Sequence, residues 1–173
     1  MFSRRSFVRS FLLASLVFFT ACGGKDTGRP VAPKTIDDRF AIQVGDQTVQ
    51  MQIAATREEM EKGLMFRTSM GQDEGMLFIY DSPQQMNFWM HNTEIPLNIG
   101  YFDPSGELKE TYEMYAHDEM TVSSHSQHLQ FALEMNQGWY QQAGVKPGAR
   151  LDLTAVAGAL KARGVRPETL GLR

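Results

Sequence analysis

Apolar and polar side chains alternate through most of the middle of this chain. Phe40-Ala41-Ile42-Gln43-Val44 alternates, Gly45-Asp46 supplies a turn, and Val49, Met51 and Ile53 resume the alternation, which predicts a β-hairpin. Thr56-Arg57-Glu58-Glu59 has the form of a helix capping box, with Thr56 as N-cap and Glu59 three residues on. Gly63 stands where a helix-ending glycine belongs, so the pattern predicts a helix of about two turns. Met76 to Tyr80 is a wholly apolar run of strand length, ended by Asp81-Ser82-Pro83. Strands are expected at Phe88–His91, Asn98–Phe102 and Glu107–Tyr112, the last two joined by the turn Asp103-Pro104-Ser105-Gly106. Another is expected at Leu129–Met135. A second short helix, capped by Asn136, should run through Trp139-Tyr140 to Gly144, and Arg150–Val156 reads as a last strand. Short strands with two small helices predict a mainly β fold, a β-sandwich or barrel. The continuous apolar strands imply burial on both sheet faces.

The ends differ from this middle. Residues 1–21 open with Arg4, Arg5 and Arg9, continue in an apolar run from Phe11 to Phe19, and close on Thr20-Ala21 before Cys22. That order is a secretory signal peptide, and its apolar run is far short of the ~20 residues that span a bilayer. Cys22, the only cysteine, lies at the cleavage point, and Phe18-Phe19-Thr20-Ala21-Cys22 resembles a bacterial lipobox, in which the cysteine carries the lipid. Ser3-Arg4-Arg5-Ser6-Phe7 resembles a twin-arginine export signal; general secretion is the alternative. The domains expected are a signal peptide at 1–21, a lipidated N-terminus and polar tether at 22–38, a β domain at 39–157 and a tail at 158–173. The tail is read as a short helix or a loose end. The protein is then expected in the bacterial envelope, lipid-anchored, with its domain on the periplasmic side.

Processing changes the charge. Loss of three arginines leaves 14 of the 17 Lys+Arg against 20 Asp+Glu, a net charge of −6. No basic stripe remains, so nucleic acid is not an expected partner.

Three stretches carry a resemblance. Residues 63–80, "GLMFRTSMGQDEGMLFIY", residues 88–103, "FWMHNTEIPLNIGYFD", and residues 133–151, "LEMNQGWYQQAGVKPGARL", resemble the landmarks of the family catalogued as domain of unknown function 192. The usual forms are G-L-M-x-R, G-M-L-F, F-W-M-x-N-T-x-x-P-L-D and L-E-x-x-x-G. The resemblance implies a jelly-roll type of β-sandwich with small helices and implies no activity. This chain has Asn98 where the family pattern ends in Asp, and an amide cannot act as a general base.

Alternation puts Phe88 and Met90 on one face, with Trp89 and His91 on the other. Ile95, Leu97, Ile99 and Tyr101 should share a face opposite Asn98, Gly100 and Phe102. Asn98 is then a buried amide that needs partners, for which Asn92, Thr93, Arg57 and Arg67 are candidates. Two readings follow. Either these groups form a polar network that fixes a strand corner, or Arg67, Trp89, Asn92, Thr93 and Asn98 line a cleft for a small polar or anionic ligand.

No G-x-S-x-G, H-E-x-x-H or phosphate-binding loop is present, so no catalytic residue and no cofactor is indicated. A metal reading attaches to Met114, His117, Met120, His125 and His128, a thioether and imidazole set suited to copper or zinc. The expectation is a membrane-tethered lipoprotein with a non-catalytic ligand-binding or interaction domain. A metal-handling protein and an uncharacterised envelope enzyme are the alternatives.

Overall fold

The computed structural model describes residues 32–172. The proposed signal peptide, the lipobox and Cys22 lie outside the described residues. Strands β1 (Phe40–Val44) and β2 (Gln47–Ala54) form the expected hairpin. Helix α1 (Arg57–Lys62) follows, with both halves of its capping box made: Glu59 N donates to Thr56 Oγ1 at 3.3 Å, and Thr56 N donates to Glu59 Oε2 at 3.1 Å. Gly63 ends it with φ of 47°, a conformation that favours glycine.

The remaining strands are β3 (Glu74–Gln84), β4 (Asn87–Phe88), β5 (Leu97–Phe102), β6 (Leu108–Met114), β7 (Val122–Ser123) and β8 (Leu129–Asn136). Six of them form one sheet in the order β1-β2-β3-β8-β5-β6, and β4 pairs with β7 in a small ribbon. The chain reverses at each neighbouring pair except β2 and β3, which run parallel because α1 carries the chain across between them. The protein is therefore mainly β, built on a large mixed sheet with few short helices. Among the described residues there is no closed barrel, so the expected burial of both strand faces is achieved differently.

One face is covered by helices. Ile42, Val44, Val49, Met51, Ile53, Leu77, Ile79, Phe131, Leu133 and Met135 pack under α2 (Trp139–Gln142), α3 (Leu153–Ala162) and a 3-10 turn at Pro167–Leu170. Tyr140 donates to the Leu133 carbonyl at 2.9 Å, and its phenol fills the space a Cβ on Gly100 would need. The other face is covered by loops. Met76, Phe78, Ala132, Leu97, Ile99 and Tyr101 pack there against Leu64, Met86, Phe88, Met90 and Ile95.

Several elements differ from their sequence expectation. Arg150 and Leu151 make only single bridges to Glu107 and Val44. From Asp152 onward the chain is helical: Asp152 Oδ1 accepts from Thr154 N at 2.9 Å and Ala155 N at 3.0 Å. The Ala-rich run after that cap buries Val156, Ala159 and Leu160 at helical spacing. Helix α3 thus runs through the boundary expected near 157, and the tail packs: Leu170 and Leu172 belong to the core. Asn136 ends β8 rather than capping a helix, and the single turn α2 starts after Gly138 at φ of 85°. Of the expected strand Phe88–His91 only Phe88 is in β4: Trp89 and Met90 already leave regular structure and His91 begins a turn. At the other end, Lys34 N donates to the Ala162 carbonyl at 2.9 Å and Gln52 Nε2 to the Ile36 carbonyl at 2.7 Å, so residues 34–36 lie on the domain.

A buried ion pair closes the structure. Arg163, at the end of α3, donates to both oxygens of Glu59 and to the Ile53 carbonyl, with its side chain 6% exposed. Burial works to raise the Glu59 pKa, but Arg163 and the amides of Ala55 and Thr56 hold it below the usual carboxylate range.

Candidate functional site

The loop-covered face gathers the features that regular structure does not require. Three loops are joined there by main-chain bonds: Phe66 N to Asn92 O at 2.8 Å, Met90 N to Asp118 O at 2.9 Å, and His117 N to Thr93 O at 3.1 Å. The described non-glycine residues with left-handed backbone are Phe66, Asn92 and His117, at φ of 64°, 51° and 62°. Asn adopts this conformation readily; for Phe and His it costs about 1–2 kcal/mol each. Phe66, Trp89, Tyr115 and Met120, large apolar side chains that remain exposed, all stand on these loops. Trp89 stacks on His91 with ring centroids 4.8 Å apart, and Glu119 holds the His91 ring at 2.7 Å.

The five residues expected to share a cleft fall into separate places. The alternation itself holds: Phe88 and Met90 are buried, Trp89 is half exposed, and Ile95, Leu97, Ile99 and Tyr101 share the loop-covered face. Asn98 is on the helix-covered side. Its Nδ2 donates to the Tyr112 carbonyl at 3.1 Å, and its Oδ1 accepts from Gly138 N. Both ends of the buried amide are bonded, so Asn98 fixes the turn into α2, and neither Arg57 nor Arg67 takes part. Arg57 pairs instead with Glu61 at 2.8 Å on the exposed side of α1.

Arg67 lies in a cleft of about 700 Å³ between α1 and the chain around Ile36, lined also by Asp37, Gln52, Glu58, Lys62 and Phe66. Its guanidinium donates to Oε1 of Gln52, a side chain only 2% exposed. Burial, and then Arg39, lowers the Arg67 pKa, while Glu74 and Asp37 act in the opposite direction. Asn92 is exposed and reaches this region through the bond from Phe66 N to its carbonyl. Thr93 and Trp89 line a separate, small chamber beneath them.

That chamber contains a residue the sequence did not single out. Glu134 stands in β8, opposite Met76 of β3 and Ile99 of β5, and is 5% exposed. None of the described residues bonds its carboxyl, and burial alone pushes its pKa up to about 8. The available signal was a lone acid in the apolar run Leu129–Met135.

The metal reading finds no gathered ligand set. Met114 is in the core, and Met120, His117 and His128 are exposed. His125 Nδ1 meets the Tyr112 hydroxyl at 2.7 Å, within a clip in which Glu110 accepts from Tyr112 and from the amides of His125 and Ser126. Burial and Glu110 push the Tyr112 pKa up to about 12. Among the described residues no three His, Cys, Asp or Glu side chains gather as a metal-holding group.

Residues 40–153 match the family DUF192, described as an uncharacterized ACR, and the chain belongs to that family. Its fold is similar to a crystal structure of a protein of unknown function from Novosphingobium aromaticivorans, with 30% identity and a TM-score of 0.64. That likeness covers 71% of this chain and 94% of the other. A second similar structure, from Sinorhizobium meliloti and described as a candidate transcription regulator, has 26% identity and a TM-score of 0.65, covering 69% and 96% of the two chains. No curated protein matches the chain.

Proposed function

We propose that this DUF192 member is an exported lipoprotein, held by lipid on Cys22 at the periplasmic side of a bacterial envelope membrane, whose β domain binds a small polar or anionic ligand without catalysing a reaction. The anchor rests on the signal-like first 21 residues and on the position of the lone cysteine. No helix among the described residues is long and apolar enough to cross a membrane. The binding reading rests on one observation: Arg67 enters a cleft of about 700 Å³ with its guanidinium bonded to a neutral amide. A cation oriented by Gln52 and left with donors to spare suits a carboxylate or a hydroxyl-rich ligand. The cleft volume falls within the range of small-molecule sites.

Native mass spectrometry of the processed protein tests the binding reading. A small-molecule adduct on the wild-type chain, lost in a folded Arg67→Ala variant, is expected. No adduct, or an adduct that survives Arg67→Ala, contradicts it. Cys22→Ser is expected to abolish lipid attachment and recovery with membranes; a lipid-free wild-type chain would contradict the anchor.

A further inference from the structure

We infer that the chamber beneath Trp89 is a receptor for a small alkylammonium group, with Glu134 as its counter-charge. This site is separate from the Arg67 cleft, although Lys62, Gly63 and Met65 line both. The chamber holds about 40 Å³ and is walled by Leu64, Phe78, Phe88, Trp89 and Thr93, with Glu134 facing into it. One water needs about 10–15 Å³ by the same measure, so the chamber has room for an ammonium head and the carbon beside it, with the rest of an alkyl chain left toward the opening.

The chemistry follows from what Glu134 lacks. A buried carboxylate normally has a cationic partner or several hydrogen bonds, because an uncompensated buried charge is costly. Glu134 has neither among the described residues, and burial holds it largely protonated at neutral pH. A neutral guest would leave that situation unchanged. A cationic guest would let the carboxyl ionise, and the aromatic rings of Phe78, Phe88 and Trp89 add a surface that favours cations. Thr93 is buried beside it and supplies a hydroxyl to accept from the guest. At the mouth stand Glu61 and Lys62 from α1, both exposed. Burial, and then the Glu134 charge, raises the pKa values of the Tyr80, Tyr101 and Tyr140 phenols, so these neighbours stay neutral and none is a counter-charge for the carboxyl.

Binding therefore carries a proton signature. At pH 7 the incoming ammonium displaces the proton on Glu134, which leaves to buffer. Calorimetry of the processed protein with n-butylammonium chloride, in two buffers of different ionisation enthalpy, reads it directly. The expected result is saturable binding with release of close to one proton, and at least about tenfold weaker binding of uncharged n-butanol. Glu134→Gln keeps the shape of the neutral acid and is expected to weaken n-butylammonium binding at least about tenfold, without proton release. Absence of saturable binding to the wild type, equal binding by a folded Glu134→Gln, or binding without proton release would each overturn the inference. Should Glu134→Gln fail to fold, the proton release of the wild type decides alone. An Arg67-dependent adduct in a protein that ignores n-butylammonium would leave the cleft standing and remove only the chamber.

Discussion

The two faces of the six-stranded sheet differ in one buried carboxyl: on the loop-covered face Gln52 and the Tyr101 hydroxyl are bonded, and Glu134 is not. Under the helices, Asn98 has both ends of its amide bonded and the Tyr140 hydroxyl has its carbonyl. Under the loops, Glu134 is as deeply buried and has nothing. The same face carries the left-handed Phe66, Asn92 and His117 and the exposed Phe66, Trp89, Tyr115 and Met120. Backbone strain and an uncompensated carboxyl are expensive, and they concentrate where function overrides stability. The helix-covered face holds the fold together, and the loop-covered face is where we propose that the molecule accommodates a guest.

That contrast can be broken most severely at the join between α3 and α1. Arg163→Ala leaves the half-buried Glu59 with only its two amide bonds and no cation, and releases the Ile53 carbonyl. A loss of about 3–5 kcal/mol in denaturant unfolding is expected, and a loss below about 1 kcal/mol would show the pair to be incidental. The depressed Glu59 pKa gives this contribution a direction. It is present above the carboxylate's unfolded value and disappears as pH falls through the folded one, so wild type and Arg163→Ala should converge in acid.

Glu134→Gln runs the other way. Burial pushes the pKa of the folded Glu134 carboxyl up to about 8, above the usual glutamate range. Below the unfolded value the acid is neutral in both states and costs nothing extra. As pH rises from there toward 8, the unfolded chain ionises and the folded one does not, so stability falls; above 8 the penalty is complete. Glu134→Gln removes it, and its gain over wild type should grow across that window to a few kcal/mol, on the order of 1.4 kcal/mol per pH unit. A gain independent of pH would contradict this account of the loop-covered face.

Asn98→Ala should cost about 1–3 kcal/mol by stranding the Gly138 amide and the Tyr112 carbonyl, with n-butylammonium binding unchanged. A selective loss of binding would place Asn98 back in a site. Trp89→Ala is expected to show the mirror image: less than about 1 kcal/mol in stability, because the ring is half exposed, with weakened binding.

The sequence carried the faces of the sheet well. The period of two correctly divided Ile95, Leu97, Ile99 and Tyr101 from Asn98, Gly100 and Phe102, and the capping box placed α1. It could not say which strands become neighbours. Strands β3 and β8 lie between β2 and β5, so Arg67, bonded to Gln52 of β2, and Asn98 of β5 never meet. The Leu151 to Val156 alternation read as a strand because Asp152 was not recognised as a helix cap. Arg163 was silent for a related reason: its partner, Glu59, is 104 residues away. Glu134 lay inside a recognised landmark, yet a single acid in an apolar run reads alike at a sheet edge and at its centre.

The carboxyl of Glu134 itself offers the most direct test of the contrast between the faces. Carbon-13 NMR of the side-chain carboxyls, followed through a pH titration of the protein and assigned with Glu134→Gln, reads its protonation alone. The account predicts a midpoint near 8. A midpoint in the ordinary glutamate range, about 4.3, would mean that the loop-covered face already supplies Glu134 with a partner, and the distinction between the two faces would fail.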